Sequence, residues 1–459
     1  MQKKAKSFYF IGICGISLSA LAQILKSQGR CVAGSDGTLG EMAEKLRQAG
    51  IKVIEGHNTT TLDDFDVVVF SAAIAPNNPE LLRAKALHKK IYSRAQLLGQ
   101  FSRHFKNTIA VSGCHGKTTT TAMLSCIFIN AGLNPTIHIG GTYDKIGGNV
   151  RLGSNNIFIT EACEYKDSFL SLKPKVSVIL GVQADHLDYF KNVNNVQKSF
   201  NNFASNTQKT GFLVFNSDNR RAKQAADFAN CKIVGISKSC RSTCRAKNIF
   251  HHSNGCFAFD CVQNNKVLGR VYLSVPGEHN ITNALAAIAV AIRFNISFSC
   301  IQSSLFEFAG VDRRFQLVGQ INGAKVFHDY AHHPTEIQAS IKTAYQMQAQ
   351  KVFVVFQPHT YSRTKSFFCR FAKALCVANE AILYPIYPAR EAPIKNITSE
   401  ALSQKINQIG GNSVHYPTFG QIIDHLKRNV SSSDIILILG AGDIVNITKL
   451  IPQAGINEL

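Results

Sequence analysis

Short apolar runs recur along the chain and alternate with stretches whose apolar positions repeat at helical spacing. In the first hundred residues the runs are "FYFIGI", "RCVAGSD", "IKVIEG" and "DVVVFSAAI", with helical periods over 16–28 and 40–49 between them. Strand-length apolar runs separated by helices predict a parallel sheet covered on both faces. After a helix and connector, "RAQLLGQFSRHFKN", the alternation resumes with "TIAVSG", "NIFITEA", "VSVILGV" and "GFLVFN", then a long small-residue helix, "NALAAIAVAIRF". A third series follows: "KVFVVFQ", "EAILYP" and "DIILILGAGD". No fixed-period repeat, low-complexity tract or heptad run interrupts the pattern.

The opening stretch, "MQKKAKSFYFIGICGISLSALA", supports two readings. A basic start, an apolar core and the small residues "LSALA" imitate an export signal. A strand, glycines at Gly12 and Gly15 and a helix rich in small residues describe a nucleotide-binding turn instead. Asp36 ends the second strand roughly 20 residues after the glycines, where a dinucleotide-binding unit places its ribose-contacting acid. Cutting after Ala22 would remove the first strand and destroy that register, so the phosphate turn is the better reading. Cys14 occupies the place of the second glycine of G-x-G-x-x-G, which disfavours a standard NAD site. A helix beginning near Ile16, with the Ser17 hydroxyl, can still hold a diphosphate.

At 459 residues the chain exceeds one ordinary core and predicts about three domains. Its 45% hydrophobic and 17% charged residues are those of a globular protein. No window of about 18 uninterrupted apolar residues predicts a membrane span. Thirteen cysteines without a compact pairing pattern suit reduced thiols in a cytoplasmic protein. The net charge of +21 invites a nucleic-acid reading, but the basic residues are dispersed, with mild density over 220–247, so a solvated basic surface is expected and nucleic acid is not. Cys240, Cys244, Cys256 and Cys261 are spaced more loosely than zinc ligands usually are, and they read as ordinary core or surface cysteines.

The most specific chemistry lies in "AVSGCHGKTTTT". A strand feeds Gly113, Gly116, Lys117 and Thr118 and then a helix, which is the context of a phosphate-binding loop. Glycines let backbone N–H groups turn toward phosphate oxygens, Lys117 neutralises the β and γ phosphates, and the Thr118 hydroxyl can join a Mg²⁺ shell. Val111 replaces the usual first glycine, leaving the shorter variant G-x-x-G-K-T. Downstream strand ends offer Glu161 and Glu164, then Asp185, His186 and Asp188, as ligands for a hard cation.

Taken in order, "GICGISLSALA", "GCHGKTTTT", "EACEYKDSFL", "ADHLDYF", "PGEHNITNALAA", "DRRFQLVG", "HDYAHHPTE", "FQPHTYSRT" and "GAGDI" resemble the Mur ligase family along nearly the full length. The resemblance implies an α/β architecture of three domains: a Rossmann-like UDP-substrate domain at 1–106, a central P-loop ATPase domain at 107–318 and a Rossmann-like C-terminal domain at 319–459. It implies ATP and Mg²⁺ as cofactors, UDP-N-acetylmuramate and L-alanine as substrates, and a monomer or weak homodimer without membrane insertion. By position, the resemblance assigns Gly113, Cys114, His115, Gly116, Lys117, Thr118 and Thr119 to the ATP loop, and Asn280 and Asn283 to adenine. Arg314 falls near the γ-phosphate, and Asp329 and His332 on the adenosine side. Thr118, Glu161 and His186 would hold magnesium, so that Lys117, Glu161, His186 and Arg314 form the catalytic set. Gly12, Gly15, Ser17, Asp36 and Ser71 fall in the UDP site, and Tyr330, His359 and Arg363 in the amino-acid pocket.

Departures from the family pattern are local. Glu161 is followed by Ala162, Cys163, Glu164, Tyr165 and Lys166 in place of a more acidic run, Thr360 stands where many relatives carry arginine, and no lysine is assigned to carbamylation. The nearest rival is a ligase attaching a preformed tripeptide to the same UDP-sugar. Folate-polyglutamate ligases lack the UDP-type first domain. A nicotinamide-dependent oxidoreductase rests on the N-terminal turn alone, and a nucleic-acid-dependent ATPase on the charge alone.

Overall fold

The computed structural model describes residues 6–57, 60–71 and 73–452. Two compact units emerge. One comprises Met1–Val182, Gln197–Ile236 and Ala286–Cys300, the other Gln183–Val196, Ser237–Leu285 and Ile301–Leu459.

In the first unit, the opening apolar runs form the expected parallel sheet. Its order is Lys52–Glu55, Cys31–Asp36, Ser7–Ile11, Val67–Phe70, Lys90–Ser93. Chain order reverses at Ser7–Ile11, so a crevice opens at its carboxyl end, where open α/β sheets bind ligands. Gly12 sits there at φ +82°, a conformation that favours glycine. Helix Ile16–Ser27 follows, burying Leu18, Leu21, Ile24 and Leu25 at helical spacing. A second sheet in this unit runs Lys232–Ser237, Phe212–Asn216, Val176–Ile179, Asn107–Ser112, Ile157–Glu161, Thr136–Tyr143, Gly148–Arg151, parallel except for the last pair. Its central strands are buried on both faces, which is why they read as unbroken apolar runs.

The second unit holds an antiparallel meander, Cys244–His251, Phe257–Gln263 and Lys266–Tyr272. It also holds a sheet ordered Gln316–Ile321, Ala324–Asp329, Ile435–Leu439, Val352–Phe356, Glu380–Leu383, Ser413–His415, with only the first pair antiparallel. Ile337, Ile341, Phe367, Phe371, Leu402 and Ile406 cover one face from three helices. Ile422, Leu426, Ile444 and Ile447 cover the other. Of the four loosely spaced cysteines, Cys240 is exposed and Cys244, Cys256 and Cys261 are buried. Among the described residues no helix is long and apolar enough to cross a membrane.

Candidate active site

The phosphate loop is built as its glycines require. Strand Asn107–Ser112 ends at Gly113, whose φ is +137°, and a Cβ there would lie 3.0 Å from Leu180 Cβ. Gly116, at φ +82°, begins helix Lys117–Asn130, whose N-terminal N–H groups and dipole favour a bound anion. The next strand's loop fixes the turn, the Cys114 N–H donating to the Gly181 carbonyl at 2.9 Å.

Lys117 is not free in this loop. Its Nζ donates to the Gly113 carbonyl at 2.6 Å and lies 3.0 and 3.2 Å from the two carboxylate oxygens of Glu164, a side chain 1% exposed. Burial alone would lower the lysine's pKa, but Glu164, with lesser contributions from Cys163 and Cys114, raises it above its ordinary value. The ammonium is therefore charged and already paired. Sequence reading offered Glu164 only as a cation ligand, and its pairing with a lysine 47 residues away carries no local signal.

Glu161 ends strand Ile157–Glu161, and its Oε1 accepts from the Gly140 N–H at 2.6 Å. A Cβ on Gly140 would meet Glu161 Oε2 at 2.9 Å, so a larger residue there would push the carboxylate off this bond. Thr118 is buried one residue beyond the lysine. Carboxylate and hydroxyl oxygens are hard donors, the set magnesium prefers.

In the same unit, the residues expected at the UDP site are partly engaged by protein. Asp36 Oδ2 accepts from the Cys14 N–H at 2.9 Å, so the acid that ends the second strand also braces the glycine turn. Ser71 Oγ accepts from the Ala73 N–H, and Gly15 begins the following helix. Ser17 Oγ lies 2.9 Å from His138 Nε2 and accepts from Arg94 Nη1 at 3.2 Å. His138 Nδ1 lies 2.9 Å from Thr160 Oγ1, which in turn donates to the Glu161 carbonyl. Burial, with Arg94 assisting, lowers His138 to about 3, which keeps the imidazole neutral.

The second unit gathers Asp185, Asp329, Tyr330, His332, His359 and Arg363 near the carboxyl ends of its parallel strands, and it also holds Asn280 and Asn283. His186 has a left-handed backbone, φ +51°, and its N–H donates to Asp185 Oδ1 at 2.7 Å. Asp185 also receives Arg363 Nη2 at 3.1 Å. Burial would raise the Asp185 carboxyl, but His186, Arg363, His332 and His333 hold it well below the usual carboxylate range. Burial pushes His332 and His359 down to about 4, Arg363 adding to the effect in both. His359 stacks on Tyr387, ring centroids 5.5 Å apart. Asp329 accepts from Ser340 Oγ at 2.6 Å, and burial raises its carboxyl. Arg314 and Arg313 both lie over the Tyr330 ring, at 5.2 and 4.9 Å from its centroid. Asn280 and Asn283 are buried and bonded to each other, Asn283 Nδ2 to Asn280 Oδ1 at 2.9 Å. The Asp185–Arg363 pair, like Arg313, was missed in the sequence.

A glycine-built phosphate loop on one parallel sheet, beside a sheet with a crevice at its order reversal, is the framework of a nucleotide-dependent ligase, and the chain belongs to the Mur ligase family. Residues 7–106 match "Mur ligase family, catalytic domain", 111–291 match "Mur ligase middle domain", and 313–442 match "Mur ligase, glutamate ligase domain". Among curated proteins, it is 44% identical over 448 residues to UDP-N-acetylmuramate–L-alanine ligase of Clostridium kluyveri, covering 97% of this chain and 98% of the relative. The enzyme of the same name from Clostridium beijerinckii is 41% identical over 445 residues, 97% of each chain. Among solved structures, UDP-N-acetylmuramate-alanine ligase of Thermotoga maritima superposes with a TM-score of 0.82 at 28% identity, again over 97% of each chain.

Proposed function

We propose that this chain is an ATP-dependent ligase that joins L-alanine to the lactyl carboxylate of UDP-N-acetylmuramate, the first step in building the peptidoglycan stem peptide, and that it acts in the cytoplasm. The observation that carries the reading is likeness over the whole length, 41–44% identity, to L-alanine ligases. In this reading 1–106 bind the UDP-sugar, 107–318 bind ATP and 319–459 bind the amino acid.

Joining a carboxylate to an amine in water requires an activated acyl group. Transfer of the γ-phosphoryl to the sugar acid gives an acyl phosphate, and the alanine amine displaces phosphate from it. The first step brings two anions together, so its barrier is largely electrostatic. Lys117 offsets that repulsion, the role the motif also gives Arg314. Thr118, Glu161 and His186 are the residues that would hold a magnesium ion, which when bound would add positive charge at the phosphates. Lys117 must leave Glu164 to reach a phosphate, so nucleotide binding is an exchange of anionic partners. Gly12, Gly15, Ser17, Asp36 and Ser71 orient the UDP group, and Tyr330, His359 and Arg363 the amino acid.

The test is phosphate release from purified protein. Release should require ATP, UDP-N-acetylmuramate and L-alanine together. Equal turnover with a preformed tripeptide in place of alanine would move the assignment to the recycling ligases, and release without any sugar nucleotide would end it.

A further inference from the structure

We propose that Arg313 receives an oxyanion carried by a substrate, gripping two of its oxygens along the Nε/Nη2 edge of the guanidinium. Both atoms are shielded from solvent, and neither has a hydrogen-bond partner among the described residues. These two N–H groups form one edge of the arginine fork, the edge that matches a carboxylate or phosphoryl group bidentately.

The rest of Arg313 is held in place. Its N–H donates to the Gln316 side-chain oxygen at 2.9 Å, its carbonyl accepts from the Tyr330 N–H at 2.8 Å, and its guanidinium lies 4.9 Å from the Tyr330 ring centroid. The ring takes the face of the cation and leaves the edge.

The Tyr330 ring is set against the face of the charge, and no carboxylate among the described residues bonds the Nε/Nη2 edge. His328, opposite Gln316 in the strand ladder, is 1% exposed, and its Nε2 also lacks a partner among the described residues. Burial, with the Arg313 cation adding to it, lowers His328 to about 4, so the ring is neutral and adds no positive charge there. The adjacent Arg314 is a second cation over the same ring. A water at this edge would satisfy the two N–H groups, but a substrate oxyanion would satisfy them with the added strength of charge assistance.

The place suits a ligand. Arg313 precedes Gln316–Ile321, and Tyr330 follows Ala324–Asp329, its antiparallel partner, so both sit at the carboxyl end of the parallel strands. The local backbone is strained as well, Arg313 at φ +61° and Phe315 at φ +49° being left-handed without glycine. Arg363, by contrast, already has a carboxylate.

This inference rests on the ligase reading, in which the amino acid brings a carboxylate and the nucleotide a phosphoryl group. The test uses full-length R313K, which keeps the charge without the fork, and R313M, which keeps the length without charge. In both, the KM for L-alanine or for ATP should rise at least tenfold, while R313M melts no lower than wild type. L-Alaninamide, which lacks the carboxylate, separates the sources. If the carboxylate is the ligand, the preference for alanine over the amide collapses and the KM for ATP holds; if the phosphoryl group is, the reverse occurs. Wild-type KM values for both substrates in both variants would overturn the proposal. Should the wild-type chain couple no alanine, the ligase reading fails first. Calorimetric binding of ADP and of L-alanine to wild type and R313K then decides Arg313 alone, and equal affinities for both ligands would overturn it.

Discussion

Replacing Lys117 by methionine tests the buried pair at the phosphate loop. The lysine and Glu164 side chains are 16% and 1% exposed, with 3.0 Å between them. Removing the cation leaves a carboxylate shielded from water, and breaking such a pair from one side typically destabilises by about 3–5 kcal/mol. For a domain of 150–250 residues, each kcal/mol lowers Tm by about 2–4 °C, so K117M should melt about 6–20 °C below wild type. E164Q should lose only about 1–3 kcal/mol, because Lys117 keeps the Gly113 and Cys114 carbonyls. The double variant K117M/E164Q removes both charges, so it should be less unstable than the sum of the singles by about 0.5–3 kcal/mol. Calorimetric melting of the four proteins, with and without ATP, reads all of this. ATP should raise the Tm of wild type and leave K117M unchanged. In parallel, K117M should form no acyl phosphate while keeping its affinity for the UDP-sugar. A Tm for K117M within about 2 °C of wild type, or strictly additive singles, would refute the claim that the lysine rests on a buried counter-ion.

Two further outcomes are expected. R363A should raise the KM for L-alanine more than the KM for ATP, and equal rises would remove Arg363 from the amino-acid pocket. Mild acid should destabilise the fold, because burial holds His138 at about 3 and His328, His332 and His359 at about 4, below the ordinary 6.5. As pH falls through 6.5 the unfolded chain binds protons that the folded chain refuses, so each histidine removes about 1.4 kcal/mol per pH unit until its folded pKa is reached. Denaturant midpoints at pH 7 and pH 5 read the loss, H328N should flatten it, and an unchanged midpoint would contradict it.

The sheets and the phosphate loop were legible because their signals are periodic or contiguous. Runs such as "IILIL" announce strands buried on both faces, and Gly113 to Thr118 stand in sequence. What stayed hidden is pairing across distance. Asp185 meets Arg363 from 178 residues away, and Ser17 meets His138 from 121. No spacing rule links such residues, since the folded strands decide which ends lie together. Asp36 shows a subtler limit: its place at the strand end is readable, but its bond to the Cys14 N–H depends on the turn's folded path.

The contacts around His138 have a direction. Arg94 can only give a hydrogen to Ser17, and Thr160 gives its own to the Glu161 carbonyl. An uncharged imidazole between the two hydroxyls must then accept a hydrogen bond from the Ser17 O–H at Nε2 and donate one from its Nδ1–H to Thr160. The row from Arg94 to Glu161 thus behaves like a line of compass needles in which no single one can be reversed. A change in the hydrogen bonding of the Ser17 hydroxyl is therefore passed along the row, in sign, as far as the Glu161 carbonyl.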